Sequence, residues 1–139
     1  MSYIAPALAA WAVAQVTKLV FYSYRRRRVD FRVLASMGGF PSSHSAMVIG
    51  LTTAIGRLNG LSSPLFALAL IFSLVVMYDA AGVRRAAGQQ AAVLNRMIDD
   101  FFQHRGLGEH RMRELLGHTP VEVFAGAAVG VAAGFAFTL

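Results

Sequence analysis

Cysteine is missing from all 139 residues, so no disulfide framework braces the chain and thiol content says nothing of its redox compartment. Charge is scarce as well: 14% of residues are charged, against about a quarter in a typical soluble domain. With 56% of residues hydrophobic, that shortage makes the bilayer the expected solvent. Acidic residues are outnumbered 7 to 13 by Lys and Arg, giving a net charge of +6. No basic stretch precedes the first apolar run and no evident cleavage site follows it, so that run reads as a retained span rather than a removed signal peptide. Neither an internal repeat nor a low-complexity linker appears, and the length suits one membrane-embedded domain over residues 1–139.

The apolar runs predict an all-α, integral-membrane helical bundle with about four membrane-inserted helices and one or two interfacial amphipathic ones. The first span runs from about Tyr3 to Tyr24, long enough at ~1.5 Å per residue to cross a ~30 Å hydrocarbon core. Its Gln15, Thr17 and Lys18 are costly in lipid and should face protein or a polar cavity. A shorter helix is expected from Ser43 to about Leu58, stopped by Asn59-Gly60, and a third opens at Pro64 and ends near Gly82. From Gln89 to His104, Val93, Met97 and Phe101 alternate with polar residues at helical spacing, the pattern of an amphipathic helix on the membrane or on the bundle. A short charged helix should end at Gly117, and the last span should run from Pro120 to Leu139. Gly126, Gly130 and Gly134 form a small-residue stripe on that span, suited to close packing within one chain or across a homodimer.

Basic residues set the expected topology. Arg25 to Arg28 form a block, and Arg84, Arg85, Arg111 and Arg113 cluster later. The positive-inside rule puts both groups in the cytoplasm and both termini outside a multi-pass cell-membrane protein, with Arg57 alone on the wrong side. The polar and basic ends of the spans then converge on one face, where an amphiphilic anion could be held.

Four fragments carry chemistry. Lys18 and Arg25 stand seven residues apart, two turns along one helix face, and could reach one phosphate; alternatively Lys18 snorkels to the interface and the arginines anchor the helix to anionic lipid. Pro41-Ser42-Ser43-His44 opens the second helix, where free N–H groups and the helix dipole favour an anion and a first-turn histidine could protonate a leaving oxygen. A plain N-cap by Ser42 or Ser43 fits the same residues. Arg84 and Arg85 follow the third span, and a guanidinium can hold two phosphate oxygens; on an ideal helix the two point ~100° apart, so one of them faces the site. His118 and Glu122 are four apart, so the carboxylate could fix the imidazole tautomer of a nucleophile, while Thr119-x-x-Glu122 is equally a capping box. Asp79, near the inner end of the third span, is expected to form a structural ion pair with Lys18 or an arginine.

In order, these fragments resemble the type 2 phosphatidic acid phosphatase superfamily, whose pattern is K-x6-R-P, then P-S-G-H, then S-R-x5-H-x3-D. Lys18-x6-Arg25 matches the first element with Arg26 in place of proline, and Pro41-Ser42-Ser43-His44 the second with Ser43 in place of glycine. In the third, Arg84 or Arg85 stands more than thirty residues before His118, and Glu122 replaces aspartate. These departures are similar to a divergent branch of small membrane proteins labelled as related to acid phosphatase and vanadium-dependent haloperoxidase. The resemblance implies a metal-free, cofactor-free lipid phosphate phosphatase, with vanadate only a phosphate-mimicking inhibitor. Lys18, Arg25, Ser42, Ser43 and one of Arg84 and Arg85 would cradle phosphate, His118 would attack phosphorus, and His44 would protonate the departing alcohol.

The expected partners are a membrane lipid phosphate and the bilayer. Nucleic acid is not expected, because the arginine runs lie beside apolar spans. A non-catalytic protein that binds or translocates phospholipid headgroups would need the same cations without both histidines. A vanadate-holding oxidase is disfavoured by the apolar spans.

Overall fold

The computed structural model describes residues 3–35, 38–102 and 118–138, of which 83–87 and 99–102 are described by backbone alone. Five α-helices follow one another: α1 Ile4–Arg26, α2 Ser43–Asn59, α3 Pro64–Ala81, α4 Val83–Phe102 and α5 Pro120–Phe137. Among the described residues there is no strand.

Helices α1, α3 and α5 are each long and apolar enough to cross a membrane. The 23 residues of α1 extend roughly 35 Å. The fourth expected insertion, α2, has 17 residues, or roughly 26 Å, and is interrupted by serine, threonine and glycine. It packs against α1, α3 and α5 and forms the centre of the bundle, so its polar groups meet protein rather than lipid.

Small residues let the helices meet. On α1 the buried Ala7, Ala10, Ala14 and Lys18 recur every three or four positions and form one face. A methyl group on Gly50 of α2 would lie 2.8 Å from Ala10 Cβ, so the two backbones touch directly. Ala10, Ala14, Ala46 and Ala133 form the core where α1, α2 and α5 meet. Large side chains point outward instead: on α3, Leu68, Ile71, Phe72 and Val75 are all exposed, while Ser73 and Ala80 are the buried ones. Small and polar inside, large and apolar outside is the arrangement expected when lipid is the solvent.

Close approaches also fix direction. Gly126, Gly130 and Gly134 of α5 lie successively against Ser42, Ala46 and Thr53, so α5 and α2 run parallel. The glycine stripe is thus used within the chain. Thr52 of α2 shares a 2.8 Å hydroxyl contact with Ser73 of α3, and both lie within reach of the Val48 carbonyl, so one hydroxyl donates to that carbonyl while the other donates across the pair. A hydroxyl pair of this kind joins helices where hydrophobic attraction between them is weak. Helices α1 and α3 flank α2 on opposite sides and do not meet among the described residues.

Several boundaries differ from the sequence expectation. Helix α4 begins at Val83 rather than Gln89, so Arg84 and Arg85 occupy its first turn instead of a connection. The stretch from Arg84 to Gln90 has no apolar period, yet alanine, arginine and glutamine are strong helix formers, and propensity carries the helix through it. Among the described elements α4 touches only α3. Gln15 does face protein, donating to the Leu34 carbonyl at 3.3 Å. Thr17 does not: it is exposed, and its hydroxyl is satisfied by the Val13 carbonyl of its own helix at 2.8 Å. The charged helix expected before Gly117 lies outside the described residues.

Arg57, the apparent exception to the charge rule, has a partner. Its Nη1 donates to the Phe135 carbonyl in the last turn of α5, and its guanidinium lies 5.1 Å from the Phe135 ring centroid. A cation at a helix C-terminus satisfies carbonyls that have no intrahelical donor.

Candidate active site

The C-terminal end of α1, the start of α2, the end of α3 and the start of α5 meet at one end of the bundle. Lys18 is on the buried face of α1 with only 3% of its surface exposed. The wall beside it is Gly39, in the left-handed region at φ 105°. A methyl group there would lie 2.7 Å from Lys18 Cε and 3.1 Å from the Tyr22 hydroxyl. Only glycine gives both that backbone conformation and that space. Charge reaches Lys18 from Glu122 of α5, because α5 packs on α1. Asp79 does not supply it. That carboxylate is exposed on α3, on the far side of α2, and makes no ion pair among the described residues.

A cis Phe40–Pro41 peptide leads into Ser42, which is fully buried and caps α2. The Ser42 hydroxyl accepts from Ser45 N–H at 3.4 Å and from the Ser45 hydroxyl at 3.2 Å. The capping reading of Ser42 therefore holds, and its own N–H is committed to the Glu122 carbonyl at 2.9 Å. The first intrahelical bond is Ala46 N–H to Ser42 O, so the N–H groups of Ser43 and His44 precede the helical ladder. Of these two, Ser43 is buried and His44 is exposed.

His118 is the next link. The long segment after Arg85 had to return for His118 to share a site with the other residues, and the backbone achieves this: His118 N–H donates to Ala80 O at 3.2 Å, in the last turn of α3. The His118 side chain is buried, and its ring lies 6.0 Å, centroid to centroid, from that of His44, at 84°. Immediately after it, Thr119 and Glu122 form a complete capping box. Glu122 Oε2 accepts from Thr119 N–H at 2.8 Å, and Glu122 N–H donates to the Thr119 hydroxyl at 3.4 Å. Glu122 thus fixes the backbone that carries His118 and faces Lys18 with its charge.

The arginines stand apart from this core. Arg25 is exposed with its guanidinium 5.9 Å from the Phe21 ring centroid, so the structure does not gather it beside buried Lys18. Arg26 lies over Tyr22 and pairs with Asp30 at 3.7 Å, an exposed contact. Arg84 and Arg85 are described by backbone alone, just beyond the end of α3 that receives His118. Among the described residues no group of three or more His, Asp or Glu side chains is placed to hold a metal ion.

Sequence reasoning passed over Tyr22 and gave Gly39, in the run that leads to Pro41, no role of its own. The spacing of four between Lys18 and Tyr22 and the Gly38-Gly39 pair before Pro41 were the available signals.

Comparison with known proteins gives the family. The model of the Divergent PAP2 family, DUF212, matches residues 2–133. The Uncharacterized membrane protein YuiD of Bacillus subtilis (strain 168) is 42% identical over 137 residues, covering 89% of this chain and 85% of that protein. No solved structure matches. The divergent branch suggested by the motifs is the one supported, and the haloperoxidase part of that label has no counterpart in these matches. With all but a few residues inside the family model and four motif fragments in order, the chain belongs to the divergent PAP2 family and is a membrane protein.

Proposed function

We propose that this protein is a lipid phosphate phosphatase that hydrolyses a phosphate monoester or diphosphate of a membrane lipid through a phosphohistidine, at the cytoplasmic face. The observation that carries the reading is the meeting of His44 and His118, 6.0 Å between ring centroids, at the bundle end that also holds buried Lys18. Either histidine alone has an ordinary structural explanation; two imidazoles from distant segments, at a bundle end that also carries a buried cation, fit phosphoryl transfer. Positioning and charge stabilisation supply most of that catalysis.

In this mechanism Lys18, the Ser43 backbone and one of Arg84 and Arg85 hold the phosphate oxygens, Ser42 shapes their cradle by capping α2, and Arg25 joins them by leaving the Phe21 ring. His118 Nδ1 is buried, and in this mechanism Nε2 is the nitrogen that meets phosphorus. Its lone pair forms the P–N bond as the P–O bond to the lipid breaks, and His44 as imidazolium gives its proton to the departing oxygen. Neutral His44 then takes a proton from water as the water oxygen attacks phosphorus. The P–N bond breaks, phosphate leaves and both histidines return to their starting states. The capping box anchors the His118 backbone while the Glu122 carboxylate favours the charged states nearby.

Lipids made on the cytoplasmic leaflet, such as phosphatidylglycerophosphate or phosphatidic acid, suit this face, and polyprenyl diphosphates suit the same chemistry. The arginine block at the site end supports the cytoplasmic orientation. The test is phosphate release from a panel of these lipids by the purified full chain, with vanadate as inhibitor. His118→Ala and His44→Ala should each abolish release in folded protein. Normal turnover by His118→Ala would overturn the mechanism, and wild-type headgroup binding without turnover would favour a non-catalytic headgroup-binding protein.

A further inference from the structure

The end of the bundle opposite the histidines holds a cavity that phosphatase chemistry does not use. It has a volume of about 420 Å³ and is lined by Ile49, Thr53, Leu61, Phe66, Val131 and Phe135, with Arg57 at its edge. That volume falls within the ~300–1,000 Å³ typical of ligand pockets. Helix α2 is its floor; α3 and α5 are its walls and touch each other only sparsely, so the groove opens sideways toward lipid.

Among the described residues no carboxylate pairs with Arg57. All seven carboxylates lie at Asp30, Asp79, Asp99, Asp100, Glu109, Glu114 and Glu122, so none falls in α2, in the turn from α2 to α3 or in the second half of α5. The Phe135 carbonyl takes one guanidinium N–H, and no other acceptor binds Arg57 among the described residues. A helix C-terminus offers roughly half a negative charge, which leaves positive charge and several donors at the mouth of an apolar groove. An Arg fork matches two oxygens of a phosphate, and a nearby apolar groove matches a hydrocarbon chain.

We propose that this groove holds one acyl chain of an anionic phospholipid from the leaflet opposite the histidine site, with the lipid phosphate on the Arg57 guanidinium. The site is independent of the catalytic reading and sits at the other end of the same helices. Its occupant bridges α3 and α5, the pair of walls with the least direct contact, and thereby braces the side of the bundle that the glycine stripe does not close.

A photocrosslinker placed in the groove tests this locally, away from the arginine block at the other face. The full chain carrying Leu61→p-benzoylphenylalanine is put in nanodiscs of equimolar phosphatidylglycerol and phosphatidylcholine, irradiated, and its lipid adducts weighed. Phosphatidylglycerol adducts should exceed phosphatidylcholine adducts by about tenfold, the scale of one charge-assisted contact. Arg57→Gln should bring the ratio to about one. Val131→Trp, which fills the groove and leaves Arg57 on its carbonyl, should reduce both adducts. Equal adducts in the otherwise unaltered chain, an unchanged ratio in Arg57→Gln, or undiminished adducts in Val131→Trp would each overturn the proposal, the last also if Arg57→Gln fails to fold.

Discussion

A single methyl group at Gly126 should separate the packing of this bundle from its chemistry. That carbon would lie 2.1 Å from Ser42 O and 3.0 Å from the Ser42 carbonyl carbon. Ordinary contact begins near 3.4 Å, so α5 or the segment entering α2 must retreat by roughly 1.3 Å. The atoms met are backbone, and no rotamer change relieves them. The same retreat stretches the 2.9 Å bond from Ser42 N–H to Glu122 O, which ties the two helix starts together. Overpacking of this kind costs about 1–3 kcal/mol of stability. Its effect on catalysis should be larger in proportion, since His44 rides on α2 and His118 directly precedes α5: a ~1 Å displacement of reacting groups can cost about 100-fold in rate. Gly134→Ala is the control, because its methyl group would meet Thr53 Cβ at 2.5 Å, at the end of α5 remote from the histidines. Both variants should melt earlier in detergent micelles. Gly126→Ala alone should lose about 100-fold of phosphate release from phosphatidic acid. Gly126→Ala with unaltered melting and unaltered turnover would refute the close approach and the coupling drawn from it.

Thr52→Val and Ser73→Ala should each destabilise the bundle by about 0.6–1.7 kcal/mol, and the double variant by less than the sum, as a double-mutant cycle on thermal or denaturant unfolding would read. Additive losses would mean that the hydroxyls act separately. Glu122→Gln keeps an acceptor for Thr119 N–H, since glutamine also closes capping boxes, so melting should hold while turnover falls at least about tenfold from loss of the charge that acts on Lys18. Unchanged turnover would confine Glu122 to capping. Gly39→Ala imposes about 1–2 kcal/mol of left-handed strain and pushes on Lys18 Cε, so it should raise KM for lipid phosphate as Lys18→Ala does. A KM equal to wild type would show that the Lys18 ammonium does not depend on this wall.

The three long spans were readable because each is a predominantly apolar run bounded by proline, a capping serine or threonine, or a basic block. Helix α2 was harder, since a central helix in lipid is built from serine, threonine, alanine and glycine, and its 17 residues look weak by hydropathy although it makes most of the packing. The early start of α4 was hidden because amphipathic period and helix propensity disagree over Arg84 to Gln90, and propensity prevailed. Contacts across the chain left no local signal. Arg57 reads as a misplaced charge until Phe135, 78 residues later, offers its carbonyl. The ion pair expected of Asp79 with Lys18 failed for a topological reason, the placement of α2 between α1 and α3, that no spacing rule contains. Glu122 was legible in two ways at once, and the backbone geometry fills the capping box.

Chain direction explains why one end of the bundle suits an anion. Helices α1 and α3 run toward that end and α2 runs away from it. After α3 the chain departs through α4, but His118 returns to Ala80 before α5 begins, so α5 starts where α2 starts and runs parallel to it. Two helix N-termini then lie side by side, joined by Ser42 N–H and Glu122 O. Each N-terminus contributes roughly half a positive charge, and the Lys18 ammonium, when protonated, adds to it from α1. Glu122, in the first turn of α5, offsets part of this and lets the cationic cluster exist without a ligand. A phosphate carrying two negative charges would be attracted by the remainder, and the histidines stand at its edge. More than thirty residues separate Arg84 from His118, and the return to Ala80 is what brings the second N-terminus and its histidine to the first.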